Sequence, residues 1–279
     1  MMSILEVVRR CEGRFGIHMI EPMAHESGAR VFLVTRANTD MVLKVGLNGI
    51  EVNREVHALK AFSGSAAIHV IDYDPRLPAL LLERAVPGHP LSAITDDNRA
   101  TEIFCSVFLA LNRKPVTGVQ SIQEHVSAIS RYQETWHASG PLPASWVDRA
   151  VDYLEGLIAS TDRPVLLHGD LHHANILRHQ DAWVVIDPKG ILGDLHFDVI
   201  QYLLNYASRG GDAATVLARR MAMVAERLGL DEGRIARWGV VKGILDACWA
   251  LEDGTDWHSG LVTAERFEWR LAQSGDAKA

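Results

Sequence analysis

The segment HGDLHHANIL, residues 168–177, gathers several side chains that could do chemistry. It contains an aspartate, three histidines and an asparagine, and it follows the apolar run PVLL. Metal binding is one interpretation, because His168 and His172 have the spacing of a zinc-binding HExxH helix, although Gly169 stands where that motif has its glutamate. A second interpretation is local hydrogen bonding to loop backbone. The third is phosphoryl transfer.

The spacing between Asp170 and Asn175 favours phosphoryl transfer. In kinases an aspartate orients the substrate hydroxyl and accepts its proton, and an asparagine five residues later holds a metal ion that clamps the nucleotide phosphates. The protein-kinase catalytic loop H-R-D-L-x-x-x-N also has a histidine two residues before the aspartate, which is the position of His168 in this sequence. The pattern therefore indicates a phosphotransferase catalytic loop.

Three further residues, in the order that kinases require, strengthen this interpretation. Asp187 ends the strand-like run AWVVID and precedes the residues PKG, in the place of a kinase D-F-G element. A carboxylate at a strand end, beside a carboxamide, suits Mg²⁺. Upstream, Lys44 lies in the β-rich run MVLKVG and Glu55 lies on a predicted helix. In kinases an ion pair between such a lysine and glutamate aligns the lysine on the nucleotide phosphates.

The elements that would position these residues divide the chain into two parts. Residues 29–46 read as a β-hairpin, and residues 50–62 carry apolar side chains at helical spacing. Strand-like runs follow at 67–74 and 79–86. The first 86 residues are therefore predicted to be mostly sheet with one helix.

After the cluster Pro87-Gly88-His89-Pro90 the pattern becomes mainly helical, so we expect the domain boundary there. The predicted elements are helices over 101–114, 119–137 and 145–160, short strands at 165–167, 175–178 and 182–187, and helices again from residue 197. The expected fold class is α+β, with a small β-rich lobe over residues 1–86 and a larger, mainly helical lobe over residues 87–279.

Composition and charge disfavour several functional classes. The chain has 279 residues, and its 48% hydrophobic and 23% charged residues are typical of a soluble globular enzyme. A net charge of −7 argues against nucleic-acid or anionic-membrane partners and is compatible with a cationic small substrate. Three scattered cysteines indicate neither a disulfide framework nor a zinc knuckle. We expect a cytoplasmic protein without a membrane span, as a monomer or homodimer.

The runs LLHGDLHHANIL and WVVIDPKGILGD resemble the aminoglycoside phosphotransferases, in particular the subgroup of streptomycin 6-phosphotransferases and hydroxyurea phosphotransferases. The similarity extends to the strand and helix pattern up to residue 86, to TEIFCSVFLAL and to ILDACWALEDG. This resemblance implies a two-lobed, protein-kinase-like fold that uses ATP, with GTP not excluded, and Mg²⁺ to phosphorylate a hydroxyl of a small molecule.

The resemblance also implies roles for the residues of the motifs. Asp170 would be the catalytic base, and Asn175 and Asp187 would bind Mg²⁺. Lys44 would contact the α- and β-phosphates, with Glu55 as its partner.

Two backbone segments would complete the nucleotide site. LLLERA resembles the hinge whose main chain binds adenine, which selects Glu83, Arg84 and Ala85. No G-x-G-x-x-G loop is present, and the nearest substitute is HESGA, where Ser27 and Gly28 could turn the chain over the phosphates. The missing A-P-E motif and activation loop argue against protein substrates.

Other polar residues near the motif have open or structural interpretations. The resemblance makes His168 structural, holding the loop. His172 and His173 either pack under the catalytic loop or line the acceptor pocket. For Asp194 and Asp198 we favour capping of the following helix by one or both over catalysis, because aspartate fills that role well.

The segment DACWALEDGTDW, residues 246–257, is the candidate acceptor site. Carboxylates and indole rings could hold the guanidinium or ammonium groups of an aminocyclitol, and a solvated acidic turn is the alternative. The candidate residues are Asp246, Trp249, Glu252, Asp253 and Asp256. We expect a kinase of streptomycin or a similar aminoglycoside. The alternatives are a kinase of hydroxyurea or another hydroxylated metabolite, an inactive nucleotide-binding protein and a metallohydrolase.

Overall fold

An antiparallel sheet of five strands forms the N-terminal lobe, in the order β1-β2-β3-β5-β4. The computed structural model describes residues 3–23, 29–62, 64, 66–136, 139–205 and 212–274. The N-terminal elements are α1 (Ile4–Phe15), β1 (His18–Met23), β2 (Arg30–Arg36), β3 (Thr39–Val45), α2 (Gly49–Phe62), β4 (Val70–Tyr73) and β5 (Ala79–Glu83). The predicted hairpin over 29–46 and the predicted helix over 50–62 are thus confirmed, as β2 with β3 and as α2.

Helix α1 corrects the prediction that this lobe has a single helix. Ser3 caps its first turn by accepting a backbone N–H, and Gly16 ends it in the left-handed conformation with φ 63°. One face of the helix is buried and packs in the same apolar cluster as β2, β3 and β5, through Val7, Val8, Cys11 and Phe15. The apolar spacing that produces this face was present in the sequence.

Helices dominate the C-terminal lobe, which also has two small three-stranded sheets, β10-β9-β6 and β7-β11-β8. Its helices are α3 (Asp97–Ala110), α4 (Ile122–His125), α5 (Ala128–Trp136), α6 (Ala144–Ala159), α7 (Ile200–Leu204), α8 (Ala213–Leu228), α9 (Glu232–Glu252) and α10 (His258–Ser274). Its strands are β6 (Pro87–Pro90), β7 (Gln120–Ser121), β8 (Val165–Leu167), β9 (Ile176–His179), β10 (Ala182–Val185) and β11 (Ile191–Gly193).

The helix predicted over 119–137 is broken in the structure into β7, α4 and α5. Ser121 and Glu124 form a capping box that starts α4. The Ser127 hydroxyl then donates to the Glu124 carbonyl oxygen at 2.7 Å, a local bond of the kind that competes with continuous helix. The break places α4, rather than one long helix, beside the cleft.

Two backbone hydrogen bonds fasten the lobes to each other behind the cleft. The Ile68 N–H donates to the Val185 carbonyl oxygen at 3.0 Å, and the Val185 N–H donates to the Ala66 carbonyl oxygen at 2.9 Å. Strand β6 pairs with β9 of the helical lobe. We therefore propose that the lobes divide after residue 86. Within the described ranges, no helix combines the length and the apolarity that crossing a membrane requires.

Close packing of α9 on α10 depends on glycine. A Cβ atom added at Gly243 would lie 2.6 Å from the Ala264 nitrogen and 2.7 Å from the Gly260 carbonyl oxygen. Both atoms are backbone, so the helices would have to move apart to accommodate it. By contrast, a Cβ atom at the exposed Gly156 of α6 would meet nothing within 4 Å.

These two glycines give a matched pair of stability predictions. Gly243→Ala should lower the free energy of unfolding by about 1–3 kcal/mol through overpacking. Gly156→Ala should raise it by about 0.5–1 kcal/mol, because alanine loses less backbone entropy in a helix. Urea unfolding followed by circular dichroism measures both changes. Equal effects of the two substitutions would refute the packing argument.

Candidate active site

A buried lysine joins the two lobes in the cleft. Lys44 on β3 places its Nζ 2.8 Å from Glu55 Oε2 on α2 and 2.6 Å from Asp187 Oδ1 in the turn after β10. All three side chains are buried. Burial alone would lower the pKa of Lys44, but the two carboxylates outweigh it and the pKa is raised. The ammonium group therefore stays charged.

Asp187 is ionised and held in an unusual backbone conformation. Burial opposes its ionisation, but Lys44 and Lys189 lower its pKa to about 2. Its φ of 58° lies in the left-handed region that side chains other than glycine rarely adopt. The preceding Ile186 N–H donates to the Asn175 carbonyl oxygen at 3.0 Å. This bond brings the turn beside the catalytic loop.

The catalytic loop is fixed from inside by His168, which is fully buried. Its Nδ1 accepts the Asp170 N–H at 3.3 Å, so its Nε2 carries the proton and donates to the Ile186 carbonyl oxygen at 2.9 Å. Burial lowers the pKa of His168 to about 4, which keeps the ring neutral. His168 thus has the structural role that the resemblance implied.

A second support of the loop is Asp198, one of the two aspartates of which the sequence predicts that one or both cap a helix. Its carboxylate accepts the N–H groups of His168 at 3.0 Å and Gly169 at 2.7 Å, and pairs with Arg113 at 2.6 Å. Asp194 does cap, accepting the backbone N–H of the second residue in the 3₁₀ helix Leu195–Val199. Asp198 instead holds the catalytic loop, a role that sequence spacing alone does not reveal.

Asp170 lies among charged and polar groups that bear on its function. Lys189 Nζ is 3.8 Å from its Oδ2, and His172 Nε2 is 3.7 Å from its Oδ1. Asn175 Nδ2 donates to the Asp170 carbonyl oxygen at 2.9 Å. Burial raises the pKa of Asp170, and Lys189 and His172 oppose that effect. A carboxylate with a raised pKa is better suited to accept a proton near neutral pH.

The two histidines left open by the sequence have different positions. His173 is buried and stacks on Tyr202 with 4.3 Å between ring centroids, so it packs under the loop. His172 instead lies beside Asp170 and lines the cavity that runs from the end of β5 to the catalytic loop. His168 bonds to backbone groups, so the three histidines of the motif contact different groups and do not converge on one point. Over the described residues, no group of three or more His, Cys, Asp or Glu has the arrangement of a metal site.

Two cavities meet at these residues. The first, of about 780 Å³, runs from the end of β5 to the catalytic loop and is called the hinge cavity. The second, of about 530 Å³, lies between α2, α4 and α9 and is called the Trp249 cavity. Their shared lining consists of Lys44, Glu55, Asp170, Asp187 and Gln201.

The structure brings most of the predicted nucleotide residues to the hinge cavity. Glu83, Arg84 and Ala85 line it at the end of β5. Asn175 lines it at the catalytic loop. The predicted phosphate-loop residues, Ser27 and Gly28, fall in the segment 24–28, outside the described residues.

The predicted acidic acceptor segment is divided by the structure. Asp246 and Trp249 line the Trp249 cavity. The other three candidates do not: Glu252 pairs with Arg131 at 2.8 Å, Asp253 is the C-cap of α9, and Asp256 bonds His258. For Glu252 the reason is helical geometry, since a residue six positions after Asp246 lies about 240° further round the helix. Asp253 and Asp256 lie at and beyond the end of α9.

The family is decided by comparison of sequences. Residues 18–254 match the model of a family described as aminoglycoside/hydroxyurea antibiotic resistance kinase. The chain belongs to this family of antibiotic resistance kinases. A streptomycin 6-kinase of Streptomyces griseus is 28% identical over 260 residues, covering 89% of this chain and 83% of the relative. A hydroxyurea phosphotransferase of Kitasatospora aureofaciens is 28% identical, covering 86% and 71%.

Solved structures of aminoglycoside phosphotransferase APH(4)-Ia share the fold of this resistance kinase. Its ternary complex with ADP and hygromycin B superposes with a TM-score of 0.67 at 17% identity, covering 96% of this chain and 98% of that one. Choline kinase LicA from Streptococcus pneumoniae gives a TM-score of 0.64 at 14% identity, covering 97% and 100%. The predicted family, the two-lobed kinase-like fold and the phosphotransferase class are therefore confirmed.

The buried Asp198 generates a prediction about the catalytic loop. Asp198→Ala leaves Arg113 and two loop N–H groups without their partner, which should cost about 3–5 kcal/mol of unfolding free energy. The control is Asp181→Ala in the β9–β10 turn, whose side chain is fully exposed and which should change stability by less than about 0.5 kcal/mol. Chemical denaturation measures both. A loss below about 1 kcal/mol for Asp198→Ala would contradict the anchoring role.

Proposed function

We propose that this kinase transfers the γ-phosphoryl group of ATP to a hydroxyl group of an aminoglycoside of the streptomycin type. One observation carries the proposal: the hinge cavity and the Trp249 cavity share a wall that contains Lys44, Asp170 and Asp187. A nucleotide in one cavity and an acceptor in the other would have their reacting groups at that wall. The streptomycin 6-kinases among its relatives support the choice of acceptor.

The hinge cavity has the features that a nucleotide requires. Glu83 and Ala85 line the cavity at the end of β5, where their main chain would contact the base, and apolar side chains such as Val31 and Leu177 line the space beside it. Lys44 would contact the phosphates at the inner end. The ADP and AMP-PNP complexes of APH(4)-Ia, which has the same fold, support this placement.

Asp187 and Asn175 would hold Mg²⁺ at the inner end of the hinge cavity. The donor set fits this ion, because an ionised carboxylate and an amide oxygen are hard ligands, and both residues line the same space as Lys44. When bound, the ion neutralises charge on the nucleotide phosphates.

Asp170 supplies the base. Its carboxylate orients the acceptor hydroxyl and takes the proton as the oxygen attacks phosphorus. Its position at the wall of both cavities suits this role. Lys189 Nζ lies 3.8 Å from Asp170 Oδ2 and stabilises the ionised carboxylate before it accepts the proton of the acceptor hydroxyl. Asp198 and His168 keep the loop in place, so little reorganisation accompanies the reaction.

The Trp249 cavity would bind the acceptor. Asp246 pairs with the buried ammonium of Lys242, and Lys242 Nζ lies 5.5 Å from the centroid of the Trp249 ring. A cationic group of the acceptor would share the Asp246 carboxylate and stack on the indole ring. Glu51 of α2 adds a further carboxylate to the lining.

A substrate panel tests the proposed function. Purified protein with Mg-ATP should convert streptomycin to a product carrying one added phosphate, detected by mass spectrometry. The panel includes other aminoglycosides and hydroxyurea, since a hydroxyurea phosphotransferase is also among the relatives. Phosphorylation of hydroxyurea alone would overturn the cationic acceptor and leave phosphoryl transfer standing, and turnover of no acceptor would overturn both.

Replacing the base should abolish most of the rate while leaving nucleotide binding intact. We expect Asp170→Asn to lower kcat by about 10² to 10⁴-fold, the range for a positioned acid or base. Its Kd for ATP should stay within about threefold. Asp181→Asn, at an exposed turn, is the matched control. Turnover of Asp170→Asn near that of the control would exclude Asp170 as the base.

The divided acidic segment gives a sharp test of acceptor binding. Asp246→Asn should raise KM for streptomycin about tenfold or more and change KM for ATP little, because a carboxylate that touches the acceptor is lost. Glu252→Gln with Asp253→Asn removes two charges that do not line the cavity, and should change neither constant more than about twofold. A larger effect of the double variant would show that the acceptor lies elsewhere.

A further inference from the structure

The Trp249 cavity is lined by two residues that each hold a buried polar atom without a hydrogen-bond partner among the described residues. These atoms are His125 Nε2 and Gln201 Oε1. A buried polar group without a partner costs about 1–3 kcal/mol, which a ligand that pairs it recovers. Gln201 on α7 also lines the hinge cavity. Both residues therefore border the space proposed for the acceptor.

The neighbours of His125 determine which of its nitrogens carries the proton. Arg54 Nη1 donates to Gln120 Oε1 at 2.9 Å, which fixes the orientation of that amide. Gln120 Nε2 then faces His125 Nδ1 at 3.1 Å, and this nitrogen must accept because an amide NH₂ only donates. In a neutral ring the proton is consequently on Nε2. The atom without a partner is an N–H donor.

The surroundings keep that ring neutral and fix its orientation. Burial lowers the pKa of His125 to about 4, and nearby Lys242 and Arg54 contribute in the same direction. The ring makes edge contacts with Trp249 and Phe197, at centroid distances of 5.2 and 5.6 Å. The neutral Nε2–H of His125 can therefore donate to an uncharged oxygen of a ligand, but it does not attract a cationic group.

We propose that His125 and Gln201 bind hydroxyl groups of the acceptor. A hydroxyl both accepts and donates, so it complements the N–H of His125 and the carbonyl oxygen of Gln201. The cavity would then recognise a polyhydroxylated ring, such as a cyclitol or sugar, through contacts additional to the cation contact at Asp246. This inference rests on the proposed function and adds the chemical group that positions the acceptor.

Variants of matched shape test the donor. His125→Phe keeps a ring between Trp249 and Phe197 but removes both nitrogens. It should lower kcat/KM for the aminoglycoside by about 5- to 100-fold, mainly through KM, with KM for ATP changed less than about twofold. His125→Gln presents an N–H at nearly the reach of Nε2 and should recover most of the loss. Gln201→Met, of similar shape without polar atoms, should also raise KM for the acceptor.

A measurement without substrate tests the proton position independently. Long-range ¹H–¹⁵N correlation spectra of ¹⁵N-labelled protein, with the His125→Phe variant assigning the signal, should show a neutral ring protonated on Nε2 at pH 7. Protonation on Nδ1, or a doubly protonated ring, would overturn the inference.

Activity outcomes separate this inference from the proposed function. If folded His125→Phe and Gln201→Met keep wild-type kcat/KM for the acceptor, the inference is wrong and the proposed function stands. If the wild-type enzyme phosphorylates no acceptor in the panel, the proposed function fails and the inference falls with it.

Discussion

The ammonium group of Lys44 is the interaction on which the cleft depends. Its two carboxylate partners come from different parts of the fold, Glu55 from α2 of its own lobe and Asp187 from the opposite lobe. Loss of Lys44 would leave these two buried carboxylates without their shared cation, which costs about 3–5 kcal/mol. The left-handed backbone at Asp187 adds strain of about 1–3 kcal/mol that the surrounding contacts must offset. A charged cluster at this point sets the distance between the sheet and the catalytic loop.

The rest of the site follows from that cluster and from a catalytic loop that is already rigid. Asp198 and His168 satisfy the loop's backbone groups from below, and Asp170 stands above them at the wall shared by the two cavities. Electrostatic catalysis requires such fixed groups, because charges and dipoles that need not reorganise stabilise the transition state most effectively. In the proposed function the fold serves mainly to hold these few groups still at the wall between the two cavities.

Local patterns in the sequence predicted the features that depend on local chemistry. The order of lysine, glutamate, catalytic loop and aspartate was recognisable because each motif is short, and the hairpin and α2 followed from their periodicity. Contacts between distant segments were not predictable in this way. Asp198 reaches the catalytic loop only through tertiary packing, and the Arg54, Gln120 and His125 chain joins three elements. Composition also ignores the phase of a helix, which is why it groups Glu252 with Asp246 although only Asp246 lines the Trp249 cavity. α1 was missed although its cap and apolar face were visible.

The stereochemical course at phosphorus shows whether the phosphoryl group passes in one step across the wall shared by the two cavities. The measurement uses ATP whose γ-phosphorus is made chiral with oxygen isotopes, and determines the configuration of the phosphorylated aminoglycoside. Direct in-line transfer from nucleotide to acceptor predicts inversion. Retention would require two successive transfers through a phosphorylated side chain, and would exclude direct transfer between ligands in the two cavities.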